Sequence, residues 1–138
     1  MKKVFTIFAL ALLFSTTALA QLKVVGNGDA MSIDPSGFPP KMQAAYSLMR
    51  QKCGTCHTVE RIIVSLQTGL CPLSKTSFNK DTAKSIVVRM FLKPESGMTR
   101  DDMKAIVELL NFMIDEKAKE AKITLPPVSG NPSPPPAK

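Results

Sequence analysis

The sequence has a single histidine, an odd number of cysteines and no apolar run long enough to cross a bilayer. The histidine is His57, and the cysteines are Cys53, Cys56 and Cys71. An odd count leaves one thiol over in any framework built only from disulfides. The apolar run at residues 4–14 falls short of the ~20 residues that a transmembrane helix needs. We therefore expect no transmembrane segment in the mature chain.

The chain also lacks the mixture of basic and aromatic residues that is typical of nucleic-acid binding. Its formal net charge is +7, with basic residues spread along the sequence. Such a distribution usually forms a solvated exterior, and a mildly basic balance suits docking to acidic protein surfaces. We expect partners with acidic docking surfaces and no nucleic acid.

Residues 1–20 have the composition of a cleavable signal peptide. Lys2 and Lys3 form a basic start, an apolar stretch follows, and Ala18 and Ala20 place small residues where a signal peptidase reads. The sequence predicts cleavage before Gln21 and a periplasmic or otherwise exported protein. Cysteines are then in an oxidising compartment.

Glycine and proline divide the rest of the chain into three parts. Residues 21–40 are rich in both, which predicts an irregular N-terminal segment. Residues 125–138 form a proline-rich tail that we expect to be extended. Between them, residues 41–124 form one compact domain, small enough that its core would be marginal without a cofactor or staple.

Within residues 41–124 the apolar spacing is helical and strand signals are weak, so the predicted fold class is all-α. A first helix runs directly into Cys53, and a second follows an N-cap at Asn79 or Asp81. A third follows Thr99 and Asp102, which resemble a capping box. Residues 58–78 are predicted to be less regular. The expected apolar face of the first helix is Met42, Ala45, Tyr46 and Met49, and that of the second is Ala83, Ile86, Val87 and Met90. The face of the third is Met103, Ile106, Val107, Leu110, Met113 and Ile114.

Residues 53–57, with the sequence CGTCH, bring two thiols and the histidine together. Cys-x-x-Cys-His is typical of c-type haem attachment. Two thiols at this spacing add to the two vinyl groups of one haem, and the adjacent histidine binds its iron. The prediction is one covalent haem c held by Cys53 and Cys56, with His57 as proximal iron ligand.

Three other interpretations of the same residues compete with haem attachment. A thioredoxin-like redox pair expects a strand before the motif, which is absent from this pattern. A zinc module could use Cys53, Cys56, His57 and Cys71 as a Cys₃His tetrahedron, although neighbouring Cys56 and His57 are awkward ligands for one ion. A plain disulfide between Cys53 and Cys56 is the third. In an exported chain, haem attachment is the interpretation we favour.

The motif and its helices resemble the small monohaem c-type cytochromes of class I. The resemblance covers about residues 42–116, in the order helix, CGTCH, variable middle, helix and final helix. Family members pack their first helix against their last, and the matching positions here are Ala45 and Met49 against Leu109 and Phe112. The resemblance implies a helical domain wrapped around one haem. Its expected function is electron transfer rather than enzymatic catalysis, either free or as the cytochrome subunit of a dehydrogenase.

The second axial position of the iron decides between electron transfer and ligand chemistry. Because His57 is the only histidine, ligation by two histidines of one chain is excluded. In the family the distal methionine comes from the segment before the last helix, which implies Met90, Met98 or Met103. Met98 and Met103 flank Thr99 as a hydrophobic staple does, so we expect Met90 as distal ligand and Met98 as second choice. A different donor, such as a lysine, is a further alternative for this position. If the position is vacant, the protein is instead a five-coordinate haem sensor or a peroxidase-like protein.

Three further expectations concern the surroundings of the haem. The family resemblance implies that a backbone carbonyl near Pro72 accepts from the second ring nitrogen of His57. Cys71 is expected to be buried rather than reactive. The expected haem-lining residues are Met42, Met49, Leu66, Leu70, Ile86, Val87, Met90, Ile106 and Leu110.

Overall fold

The structure, a computed structural model, describes residues 22–124. The predicted signal peptide at residues 1–20 and the proline-rich tail at residues 125–138 lie outside the described residues. The described part of the chain is mainly helical, which agrees with the all-α prediction. Its elements are β1 (Val24–Val25), β2 (Ser32–Ile33), α1 (Pro40–Cys53), α2 (Glu60–Thr68), α3 (Lys80–Phe91) and α4 (Arg100–Thr124). None of the helices in residues 22–124 combines the length and the apolar character needed to span a membrane.

The segment before α1 is more ordered than the glycine and proline content predicts. β1 and β2 pair antiparallel, with Val24 opposite Ile33. Ile33 and Phe38 are buried in the same cluster as the helices. The backbone N–H of Ile33 donates to the hydroxyl of Tyr46 at 2.7 Å, and the ring of Phe38 meets that of Phe112 edge to face at 5.2 Å. This segment therefore belongs to the domain, because its apolar side chains complete the core.

α1 and α3 each pack against α4, and the buried side chains of all four helices belong to one core cluster. Proline at the first position of α1 suits a helix start, because proline has no N–H to leave unpaired. The predicted face of Met42, Ala45, Tyr46 and Met49 is buried. Ala45 and Met49 share one buried cluster with Leu109, and Phe112 packs against that cluster. The helix pairing implied by the resemblance is present.

α2 was not predicted; the sequence pattern indicated a less regular stretch at residues 58–78. Three successive β-branched residues, Ile62, Ile63 and Val64, lower helix propensity. They obscure the spacing of Ile63 and Leu66, which the structure buries. Gly69 ends the helix with φ of 69°, the left-handed conformation that favours glycine at a C-terminus.

α3 and α4 begin at the predicted caps. The side chain of Asn79 accepts from the N–H of Thr82 at 3.0 Å, so Asn79 rather than Asp81 caps α3. At the start of α4 the hydroxyl of Thr99 accepts from the N–H of Asp102 at 3.1 Å. In return, Asp102 Oδ2 accepts from the N–H of Thr99 at 2.9 Å. The capping box is confirmed, with aspartate in the place of the more usual glutamate.

Candidate functional site

The motif lies where α1 ends and the chain turns toward α2. Cys53 is the last residue of α1, and its carbonyl accepts from the N–H groups of Cys56 and His57, both at 3.3 Å. A Cβ on Gly54 would lie 2.5 Å from the carbonyl oxygen of Arg50, so a larger residue would force this turn open. The helix end and the turn together place the two thiols and the imidazole in one region.

All three cysteines are free thiols, and they differ in exposure. Cys53 is half-buried, Cys56 is exposed and Cys71 is buried, the last as predicted. The Cys53–Cys56 disulfide is not formed. Burial raises the pKa of the Cys53 thiol, and the neighbouring Cys56 adds to this shift. Cys53 is therefore held in its protonated form more firmly than an exposed cysteine.

The imidazole of His57 is oriented by the backbone next to it. Its Nδ1 lies 2.9 Å from the carbonyl oxygen of Thr58. Because a carbonyl only accepts, Nδ1 is the donor of this hydrogen bond, and Nε2 is the ring nitrogen left for another partner. The expected partner was a carbonyl near Pro72, but the turn at residues 56–58 already brings an acceptor within reach. Pro72 instead lines the cleft beside the ring.

An apolar cleft of about 350 Å³ opens beside the motif. Its walls come from α2, the loop at residues 71–74, α3 and α4, and both Cys53 and His57 lie along it. A second cleft of about 230 Å³ shares Cys53, His57, Met90, Lys93 and Met98 with the first and adds Cys56. The apolar walls of the larger cleft include Ile62, Phe78, Ile86, Val87, Ile106 and Leu110. Both motif thiols, the histidine and two methionines thus gather at one apolar depression.

The expected haem-lining residues divide between this cleft and the core. Ile86, Val87, Met90, Ile106 and Leu110 line the cleft. Met42, Met49 and Leu66 are buried in the core instead, and Leu70 is exposed. These four do not line the cleft, because helical spacing identifies an apolar face but does not say which neighbour covers it.

Met90 and Met98 line both clefts, whereas Met103 lines neither. Met90 lies in the last turn of α3 and is 36% exposed. Met98 is half-buried and packs against the core. The structure therefore brings both predicted distal ligands to the side of His57 and leaves Met103 outside.

The larger cleft is edged by cations alone. Arg61, Arg89 and Lys93 line it, and no aspartate or glutamate does. Within residues 22–124 none of these three has an ion-pair partner. Sequence reasoning missed this group because its members lie on separate elements. Only the four-residue spacing of Arg89 and Lys93 hinted at it.

The residues of the Cys₃His hypothesis do not form a metal site. Among the described residues, no three Cys, His, Asp or Glu side chains converge closely enough to hold an ion. Cys71 lines the larger cleft while Cys56 lines the smaller one. The zinc tetrahedron is therefore not assembled.

No protein-family model matches this sequence, and neither a curated protein nor a solved structure does so. The inference of function therefore rests on the side chains gathered at the cleft.

Proposed function

We propose that this protein is an exported monohaem c-type cytochrome that carries single electrons between redox proteins. The observation that carries the proposal is the gathering of Cys53, Cys56 and His57 at one apolar cleft with two methionines. A haem bound there supplies reversible one-electron chemistry at its iron. Cys53 and Cys56 would hold it through thioethers, His57 would bind the iron, and Met90 or Met98 would provide a sulfur ligand.

The residues present fit such a group. The cleft of about 350 Å³ falls within the range of ligand sites, and the second cleft extends it. Its lining is mainly apolar, as a macrocycle of carbon rings requires. The hydrogen bond from Nδ1 of His57 to Thr58 leaves Nε2 available as a ligand. Both motif cysteines are free, and neither is fully buried.

The apolar walls also bear on the redox potential. Ile86, Val87 and Leu110 line the cleft, so a haem packed against them would be shielded from water on that side. A site with little water disfavours the more highly charged ferric state, so burial raises the reduction potential. A thioether ligand favours ferrous iron and raises it further.

The three cations at the edge of the cleft suit the docking of an acidic partner. Arg61, Arg89 and Lys93 are exposed, and Leu73 beside them is 80% exposed. Transient redox complexes use small interfaces in which complementary charge guides the encounter. We therefore place the partner surface at the mouth of the cleft and expect electron transfer to slow as salt rises.

The decisive experiment is purification from an exporting host that attaches haem covalently. We expect a c-type optical spectrum and a polypeptide mass increased by one haem. The double variant Cys53→Ala/Cys56→Ala should lose the covalent mass completely. The matched control is Cys71→Ala, which removes a third thiol from the same cleft and should keep the haem. A colourless wild-type protein with the mass of the bare polypeptide would refute the proposal.

The exposure of Met90 favours one alternative, a five-coordinate haem with sensor or peroxidase-like chemistry. An exposed thioether in an open cleft can leave the iron accessible to small ligands. Carbon monoxide added to the reduced protein separates the two functions. Iron held by histidine and methionine should bind little, whereas an open site should bind it readily.

A further inference from the structure

The short segment that carries Met98 is held on both sides of that residue. Before it, the carbonyl of Gly97 accepts from Nζ of Lys52 at 2.6 Å. After it, the N–H of Thr99 donates to Oδ2 of Asp102 at 2.9 Å. The two peptide bonds that flank Met98 are thus each fixed by a side chain from a helix, one from α1 and one from α4.

Lys52 and Asp102 also contact each other. Nζ of Lys52 lies 3.4 Å from Oδ2 of Asp102, with 24% and 20% of the two side chains exposed. Ion pairs that are partly buried are less screened by solvent than fully exposed ones. We call Lys52, Gly97, Thr99 and Asp102 the Met98 clamp. Since Lys52 directly precedes Cys53, the clamp links the attachment motif to the backbone of Met98.

Within residues 22–124, no side-chain hydrogen bond or ion pair connects the backbone around Met90 to the motif in the same way. It lies in the last turn of α3, where Leu92 N–H donates to the carbonyl of Val88 at 3.1 Å and Lys93 N–H to that of Met90 at 3.0 Å. These bonds are local to the helix end. Met90 is also more exposed than Met98, so fewer contacts restrict its side chain.

We infer that Lys52 and Asp102 are positioning residues that hold Met98 at the cleft beside His57, and that Met98 rather than Met90 is the distal sulfur donor. The physical reason is preorganisation. A backbone already fixed by hydrogen bonds loses less conformational entropy when its side chain binds. This inference rests on the proposed haem attachment and revises the preference drawn from the sequence.

The test uses the haem-loaded protein and the weak oxidised-state absorption band of sulfur–iron ligation. In Lys52→Met the clamp is broken, so we expect loss of the band, a lower reduction potential and new carbon monoxide binding by the reduced form. Lys52→Arg keeps a charged donor at this position, so this variant should retain the band. Covalent mass should be the same in both variants, because neither changes Cys53 or Cys56.

The matched control is Lys41→Met. Lys41 also joins α1 to α4, through an exposed ion pair with Glu108 outside both clefts. Its loss should leave the band unchanged. If Lys52→Met does not fold, Asp102→Asn serves instead, since it keeps an oxygen for the Thr99 N–H while removing the charge. We expect it to weaken the band and lower the potential.

Single methionine variants complete the test. Met98→Ala should lose the sulfur–iron band and Met90→Ala should keep it. The inference fails if the reverse holds, if Lys52→Met and Asp102→Asn both keep the full band, or if the wild-type protein carries covalent haem without such a band. A wild-type protein with no covalent haem refutes the proposed function itself, and mass spectrometry detects that independently of the band.

Discussion

The two halves of the domain differ in how completely their own side chains fill them. Between α1 and α4, Tyr46, Met49, Leu109 and Met113 are 2% exposed or less. Between α2, α3 and α4, a cleft of about 350 Å³ is left beside the CGTCH motif. A small domain has little core to spare. We call the first half the frame of the fold; the second half keeps an open apolar cleft, which is where the proposed haem would lie.

The largest loss of stability is expected when a buried side chain between α1 and α4 is truncated. Leu109 is fully buried, so Leu109→Ala removes buried methyl groups and leaves a cavity. We expect a loss of about 2–5 kcal/mol in the free energy of unfolding. Urea denaturation should show this loss both in the haem-attached protein and in the haem-free protein. The Cys53→Ala/Cys56→Ala variant serves as the haem-free, or unattached, form.

Ile86→Ala is the matched change in the cleft. Ile86 is half-buried and lines the cleft wall, so the unattached protein should lose much less stability than with Leu109→Ala. The haem-attached protein should lose more stability through Ile86→Ala than the haem-free protein, because Ile86 then also packs against the haem. Equal losses for the two variants in the unattached protein would contradict the division into two halves.

A smaller effect is expected where the N-terminal segment joins the frame. Tyr46→Phe keeps the aromatic ring but removes the hydroxyl that accepts from the buried N–H of Ile33. Leaving that N–H unpaired should cost about 1–3 kcal/mol. Hydrogen exchange should quicken at residues 24–38 first, and unchanged exchange there would argue against the role of this bond.

A fourth variant weakens the cap of α3, which forms part of the cleft wall, without changing any residue that lines the cleft. Asn79→Ala removes the side-chain cap of α3 and should cost about 1 kcal/mol. Asn79→Asp keeps an acceptor for the Thr82 N–H and should cost much less. Thermal unfolding of the two variants tests this, and similar losses would mean that the cap has no part in holding α3.

The smallest expected effect is a dependence of stability on pH at the start of α4. The Thr99 N–H and other hydrogen bonds, helped by the charge of Lys52, lower the pKa of Asp102 below its ordinary value. A carboxyl group whose pKa is lower in the folded state stabilises that state fully above its unfolded pKa, about 4. This contribution is lost as pH falls through the lower, folded value. Denaturation at stepped pH should show this loss in the wild type, whereas Asp102→Asn should show a flatter profile.

The sequence predicted the elements whose signals are local. Asn79 and Thr99 are capping residues next to regular apolar faces, so α3 and α4 could be placed from the chain alone. α2 could not, because its β-branched residues weaken the local signal and only burial against other elements stabilises the helix. Tertiary packing overrode propensity there.

The motif residues of the candidate site could be named from the sequence, and the residues around them only in part. CGTCH is a contiguous motif, so Cys53, Cys56 and His57 could be named directly. The Met98 clamp and the cations at Arg61, Arg89 and Lys93 join residues that are distant in sequence. Such groups exist only once the helices have packed, and no periodicity encodes them.

The pairing of α1 with α4 has a consequence for chain entropy. These helices bring together the two ends of residues 54–99, a segment that contains α2, α3, His57, both candidate methionines and the three cations. The entropy of closing a flexible loop grows slowly, by about 0.6 kcal/mol for each doubling of length. Insertions at the exposed residues 75 and 76, which line neither cleft, should therefore be tolerated while the ends stay joined. The frame fixes where the segment starts and finishes, and leaves its length outside the two clefts free to vary.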